Sequence, residues 1–119
     1  MSKNADVGIE GMVFRKTHQH TGRRISVTPE NSSMQHLAYG RIVLNASNPA
    51  ESFTTGDRET GLVCLAGQAT LTVDGQDATL GQYDSIYIPR DSSVKVSTSS
   101  SADRAEFSAE VDRRCRCRW

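Results

Sequence analysis

The sequence predicts one all-β domain, built as a sandwich or a barrel. Short runs of alternating or wholly apolar residues recur along the chain, turn residues separate them, and helix-period patterns are hard to find. Asp74-Gly75 lies between two such runs and is a strong hairpin signal, because a type I′ turn needs positive φ at both central residues. A length of 119 residues supplies one modest hydrophobic core.

The predicted strands follow from these patterns. They lie at residues 24–28, 37–44, 62–66, 70–73, 78–80, 85–88, 94–98 and 105–111. The run 62–66 is nearly all apolar, which predicts burial on both faces, whereas 70–73 alternates strictly and predicts one face toward water. Pro29 and Pro89 end the strands before them.

Composition and charge exclude several classes of function. The formal net charge is +0, so no global electrostatic attraction to nucleic acid or an anionic membrane is expected. No apolar run approaches the roughly 20 residues that a membrane span needs, and the first residues lack the apolar core of a secretory signal. We therefore expect a cytoplasmic protein with reduced cysteines, of which Cys64 is a small core residue.

The order of strands and turns from Glu59 to Pro89 resembles a cupin, a small double-stranded β-helix barrel of jelly-roll type. The segments that carry the resemblance are Glu59, Leu65-Ala66-Gly67, Val73-Asp74-Gly75, Gly81-Gln82-Tyr83-Asp84 and Tyr87-Ile88-Pro89. Together with Thr28-Pro29-Glu30, Thr55-Gly56-Asp57-Arg58-Glu59 and Leu62–Gly67, they resemble the N-terminal half of the 5-deoxy-glucuronate isomerase family and its 5-keto-4-deoxyuronate isomerase relatives. The resemblance implies a single cupin domain at 18–112, between an N-terminal arm at 1–17 and a basic tail at 113–119.

This resemblance implies a scaffold rather than a catalytic centre. Those isomerases have two barrels, and the metal, usually zinc, belongs with its His and Glu ligands to the second one. The resemblance therefore transfers no catalytic residue and implies no cofactor for this chain. We expect a metal-free module that binds a small polar, sugar-acid-like ligand or serves as a structural subunit. The alternative is an aldose–ketose isomerase, or a subunit of one that needs a second cupin, so whether the chain is an enzyme stays open.

The cupin metal slots are occupied by poor ligands. The His-x-His slot falls around Ser52 and Thr54, and the last His slot falls at Val94. Hydroxyls are poor ligands for a divalent transition metal, and one carboxylate does not hold such a metal alone. An upstream alternative is His18-Gln19-His20 with His36 from a neighbouring strand, against a plain polar turn.

Pocket candidates come from the same slots and from the strand before Pro89. Glu59, if it enters the barrel mouth, needs a partner, because an unpaired buried carboxylate is costly. Tyr87 and Arg90 are further ligand-facing candidates, since a carboxylated sugar favours bidentate pairing with Arg. With Ser52, Thr54 and Val94 they complete the predicted pocket.

The tail and the arm suggest partners. Cys115 and Cys117 lie among arginines and precede Trp119, which fits an interaction tail as well as an ordinary solvated one. The arm is suited to covering an exposed sheet edge, so we expect a homodimer.

Overall fold

The computed structural model describes residues 8–113, and these residues form two β-sheets. The strands are β1 (Gly22–Val27), β2 (Leu37–Leu44), β3 (Ala50–Thr54), β4 (Arg58–Gly67), β5 (Ala69–Val73), β6 (Gln76–Leu80), β7 (Ser85–Ile88), β8 (Ser93–Ser97) and β9 (Ala102–Glu110). The described part of the chain has one 3-10 turn, Ile9–Met12, and no α-helix. None of its helical segments is long and apolar enough to cross a membrane. The all-β prediction is confirmed.

The strands are arranged as a jelly roll. The larger sheet has the order β1-β2-β9-β4-β7, and the smaller sheet has the order β3-β8-β5-β6. Every pairing is antiparallel. Strand β9 therefore lies at the centre of the larger sheet and pairs along its whole length with β2 and β4.

The sequence patterns locate most strands well. Strands β2 and β7 have the predicted bounds, and the β5–β6 hairpin turns at Asp74 and Gly75, whose φ values are 49° and 85°. Strand β3 is the exception, because its sequence Ala-Glu-Ser-Phe-Thr holds one large apolar residue and no apolar alternation. Pairing with β8 over its whole length makes it a strand.

The core lies between the sheets and consists of their inward-facing side chains. Its buried members are Ile42, Leu44, Leu62, Cys64, Ala69, Leu71, Leu80, Ile88, Val94, Val96 and Ala102. Cys64 is thus a buried core residue with a free thiol, as predicted. Phe53, Val73 and Ile86 pack against this cluster and are partly exposed.

Strand β9 carries polar side chains on the inner face of the larger sheet. Its burial alternates so that Arg104, Glu106 and Ser108 face the barrel interior, whereas Asp103 and Phe107 face outward. Charged residues on a core-facing strand need partners, since burying an unpaired charge is costly. The partners of these side chains define the candidate site.

Candidate functional site

A partly buried ion pair joins two strands of the larger sheet. Arg23 of β1 donates from Nε to Glu106 Oε1 at 2.8 Å and from Nη2 to Glu106 Oε2 at 2.7 Å. The Glu106 side chain is 1% exposed, whereas that of Arg23 is 29% exposed. The Arg23 guanidinium also lies over the Phe53 ring, with its carbon 3.9 Å from the ring centre. One side chain therefore contacts both sheets, through a bidentate pair and a cation–π contact.

The larger sheet brings this pair together across β2. Strands β1 and β9 flank β2, and Gly40 lies between Ile25 and Glu106 in the register. A Cβ at Gly40 would lie 2.4 Å from the Arg24 carbonyl oxygen and 2.7 Å from Ile25 Cδ1. The missing side chain at position 40 therefore lets β1 approach β2 closely, and the long Arg23 side chain reaches the β9 carboxylate.

A second arginine, Arg104, lies deeper in the interior. Its side chain is fully buried, and its Nη2 donates to the Ala69 carbonyl oxygen at 3.3 Å. Among the described residues, its Nε and Nη1 have no hydrogen-bond partner. Burial lowers the pKa of the Arg104 guanidinium, and the neighbouring Cys64 side chain opposes part of that shift. Cys64 is the residue opposite Arg104 in the β4–β9 register.

Hydroxyl groups and a weaker ion pair continue this polar row along β9. Arg58 of β4 donates to Ser108 Oγ at 3.4 Å and lies 3.7 Å from Glu110. Ser108 and Thr60 are both buried and are opposite each other in the register. The inner face of β9 thus presents guanidinium, carboxylate and hydroxyl groups in sequence, which suits recognition of a small polar anion.

Four of the six predicted pocket residues form two pairs on outer faces of the sheets. Ser52 and Thr54 are exposed on the outer side of β3, because Phe53 takes the inward position between them. They line a shallow cavity of about 450 Å³ that Val94 and Lys95 also border. Val94 itself is buried in the core. The three predicted His slots, Ser52, Thr54 and Val94, therefore do not point toward one shared site.

Glu59 and Tyr87 form the second group, on the outer face of the larger sheet. Tyr87 Oη donates to Glu59 Oε1 at 3.1 Å, and both line a cavity of about 280 Å³. Glu59 lies outside the barrel, so the condition under which a partner was required is not met, and its hydrogen-bond partner on the outer face is Tyr87. Arg90 follows β7, contacts Asp91 and donates to the Val111 carbonyl oxygen. The structure does not bring it into either cavity.

The described residues do not fit the divalent metal that cupin relatives carry. Among them, no group of three or more His, Cys, Asp or Glu side chains is placed to hold a metal ion. His18 and His36 are exposed, and His20 Nε2 lies 3.2 Å from the Arg41 carbonyl oxygen, so the upstream histidines do not form such a group. The described inner face instead carries the guanidinium groups of Arg23, Arg58 and Arg104, which repel a cation.

Sequence patterns missed Arg23, Arg104 and Glu106. The signal that was present is the alternation Asp103-Arg104-Ala105-Glu106-Phe107-Ser108, in which charged residues occupy one phase of a strand. Only the pairing of β9 on both sides shows that this phase faces the core. Cys115, Cys117 and Trp119 lie outside the described residues.

The fold is shared with solved cupin structures. The EutQ protein of Clostridium difficile superposes with a TM-score of 0.60 and 18% identity, covering 76% of this chain and 62% of that chain. A putative ethanolamine utilization protein Q from Salmonella typhimurium gives 0.63 and 19%, covering 83% and 77%. An RmlC-like cupin with a double-stranded β-helix fold from Methanocaldococcus jannaschii gives 0.62 and 16%, covering 82% and 87%. These likenesses confirm the predicted cupin barrel.

The family assignment rests on the sequence. The chain spans 62% of the Clostridium difficile EutQ structure, which is less than two thirds of that protein's length. None of the curated proteins matches the sequence. The family model that describes KduI/IolB proteins matches residues 12–119, which is most of the chain and includes every strand described above. The resemblance inferred from the sequence motifs is confirmed, and the chain belongs to the KduI/IolB family.

Proposed function

We propose that this chain is a cupin module that binds a small carboxylate-bearing ligand, of the sugar-acid class, inside its barrel and without a bound metal. The observation that carries the proposal is the Arg23–Glu106 pair, with nitrogen–oxygen distances of 2.8 and 2.7 Å. A guanidinium has five N–H donors, and Glu106 accepts from two of them, so donors remain for a second carboxylate.

The exposure of the two partners indicates which of them a ligand can reach. Glu106 is buried, while the Arg23 side chain is 29% exposed at the seam between β1 and β3. A ligand carboxylate that arrives at this seam meets a guanidinium already stacked on Phe53. Ser108 and Thr60 lie further along the same inner face and offer hydroxyl groups to a polyhydroxylated ligand.

The test is a titration of the purified full chain with glucuronate and galacturonate by calorimetry. We expect binding to weaken roughly tenfold or more in Arg23→Met, because a charge-assisted fork is lost. Arg24→Met is the matched control, since Arg24 is the exposed neighbour of Arg23 on the same strand. Uronate binding that is equally strong in both variants, or absent from the wild type, contradicts the proposal and leaves a structural module.

A second candidate is favoured by the family assignment. KduI/IolB membership supports a role as one barrel of a sugar-acid isomerase that acts with a second, metal-bearing cupin. Aldose–ketose exchange needs a base and a group that polarises the carbonyl, and the interior described above offers neither a metal-ligand cluster nor a free carboxylate. Isomerase activity that requires both chains supports this candidate. Isomerase activity from this chain alone contradicts both the metal-free binding module and the two-chain isomerase.

We also propose that the chain acts as a cytoplasmic homodimer. Apolar side chains are exposed where the segment before β1 meets the outer face of the larger sheet, and they border a cavity of about 580 Å³. The exposed members are Met12, Phe14, Met34, Leu37 and Phe107. We propose a second copy as the occupant, since the surface is apolar and a formal net charge of +0 imposes no repulsion between copies. Light scattering at micromolar concentration tests this, and a monomeric mass contradicts it.

A further inference from the structure

We propose that Arg104 is a buried anion subsite, and that it takes the carboxylate group of a small monovalent acid. This inference rests on the proposed function, because Arg23 would meet the ligand carboxylate at the seam and Arg104 is the deeper guanidinium that would then hold it. It extends that function by placing the recognising group two residues before Glu106, on the same inner face of β9.

The first support is the unused donors of Arg104. The side chain is fully buried, and Nη2 alone has a partner, the Ala69 carbonyl oxygen. One N–H on Nε and two on Nη1 have no nitrogen or oxygen acceptor among the described residues, and the Cys64 sulfur beside the guanidinium is only a weak acceptor. Buried polar groups in native proteins nearly always have a hydrogen-bond partner, so three orphaned donors on one guanidinium indicate a missing acceptor.

The second support is the charge balance of the interior. Both oxygens of Glu106 are engaged by Arg23, and Glu110 is paired with Arg58. Arg104 is therefore the guanidinium of the described inner face that has no carboxylate. A single positive charge in a low-dielectric site favours a monovalent anion, and the planar fork of arginine matches a carboxylate.

The third support is the local shape of β4 beside this guanidinium. Cys64 is opposite Arg104 and Ala66 is opposite Asp103, so Leu65 is an extra residue that forms a β-bulge. Bulges are common beside functional sites, where they redirect side chains. The guanidinium is bordered by the Ala69 backbone and by the small Cys64 side chain rather than by a second charged group.

The experiment uses formate as the probe of the subsite and galacturonate as the probe of the whole ligand. Carbon-13 spectra of labelled formate are recorded with the full chain at constant ionic strength, with sodium chloride as the balancing salt. The melting temperature is measured over the same titrations. Arg104→Met removes the charge, Arg104→Lys keeps the charge without the fork, and Arg24→Met is the exposed control.

We expect saturable formate binding in the wild type and in Arg24→Met, roughly tenfold weaker binding in Arg104→Lys and none in Arg104→Met. The inference is overturned if the wild type shows no saturable formate binding, or if Arg104→Met retains it. Where Arg104→Met does not fold, Arg104→Lys carries the assignment to Arg104, and a wild type without saturable formate binding still overturns the inference.

The two proposals fail separately. Galacturonate binding that persists unchanged in Arg104→Met overturns the subsite and leaves the proposed function intact. Formate binding that depends on Arg104, with no uronate binding, supports the subsite and contradicts the sugar-acid function.

Discussion

Two arginines of the larger sheet show what pairing does to a buried charge. Arg41 of β2 lies on the outer face and donates from Nε to Asp103 Oδ1 at 2.9 Å, while Arg104 of β9 lies on the inner face with no carboxylate. The hydrogen bond to Asp103 raises the pKa of the Arg41 guanidinium, although burial opposes it. Burial lowers the pKa of Arg104, and the nearby Cys64 offsets only part of that shift.

The difference arises from a single step along β9. Asp103 and Arg104 are sequence neighbours, and the pleat sends their side chains to opposite faces. On the outer face, Asp103 pairs with Arg41 of β2. On the inner face, Arg104 lies beside the Ala69 carbonyl oxygen and the Cys64 thiol. The paired guanidinium of Arg41 stabilises the fold, whereas the guanidinium of Arg104 has no carboxylate partner and is the one proposed to bind a ligand.

The largest expected effect comes from Gly40→Ala, which disturbs the inner face without touching a charge. The new Cβ would lie 2.4 Å from the Arg24 carbonyl oxygen, so β1 must move away from β2. We expect the free energy of unfolding to fall by about 3 kcal/mol in urea denaturation followed by circular dichroism. Gly61→Ala is the matched control, because nothing lies within 4 Å of its Cβ position. Equal stability of the two variants would show that β1 is not held against β2.

Glu106→Gln breaks the paired inner charge. It leaves Arg23 without its carboxylate, and the 29% exposure of Arg23 lets water recover part of the loss. We expect a loss of about 2 kcal/mol in the free energy of unfolding. Glu110→Gln is the control, since its side chain is 69% exposed and should cost less than about 0.5 kcal/mol. Equal losses in the free energy of unfolding from Glu106→Gln and Glu110→Gln would show that the buried inner pair adds no stability beyond that of an exposed pair.

Asp103→Asn weakens the paired outer charge. The Asp103 side chain is 26% exposed and that of Glu106 is 1% exposed, so water screens the outer carboxylate more than the inner one. We expect a loss of about 1 kcal/mol by the same denaturation measurement. If Asp103→Asn lowers the free energy of unfolding by more than Glu106→Gln does, the outer pair contributes more stability than the inner pair, contrary to expectation.

Arg104→Met has the smallest expected effect and the opposite sign. Because the guanidinium has no carboxylate, replacing it with an apolar side chain of similar length should leave stability unchanged or raise it by about 1 kcal/mol in buffer free of carboxylates. Added formate should stabilise the wild type and not this variant. A loss of about 2 kcal/mol or more without ligand would mean that Arg104 already has a strong partner.

The fold was largely predictable because its strands carry local signals. The alternation from Thr70 to Val73, the Asp74-Gly75 turn and the prolines after β1 and β7 each act within a few residues. Strand β3 gave no such signal, since Glu51, Ser52 and Thr54 are polar and its pairing with β8 is distant in sequence. Tertiary pairing determines a strand of this kind.

The site was harder to predict because a strand repeats every two residues. The motif alignment placed Ser52 and Thr54 in the ligand slots, and the pleat sends both outward while Phe53 faces the interior. Glu59 likewise lies outward, and Arg58 and Thr60 take the inward phase of β4. The inner arginines were missed because the side of the sheet that they face depends on strand pairing distant in sequence. Arg23 and Glu106, for example, are 83 residues apart.

The central place of β9 has a consequence for how the chain reaches its native state. Strand β9 is the last strand described and the only partner that joins β2 to β4 within the larger sheet. Until it arrives, the larger sheet consists of two separate ribbons, β1-β2 and β4-β7, with β2 and β4 both presenting open edges. Folding therefore depends on contacts of high sequence separation, and a nascent or truncated chain that lacks Ala102–Glu110 is exposed to edge-to-edge aggregation.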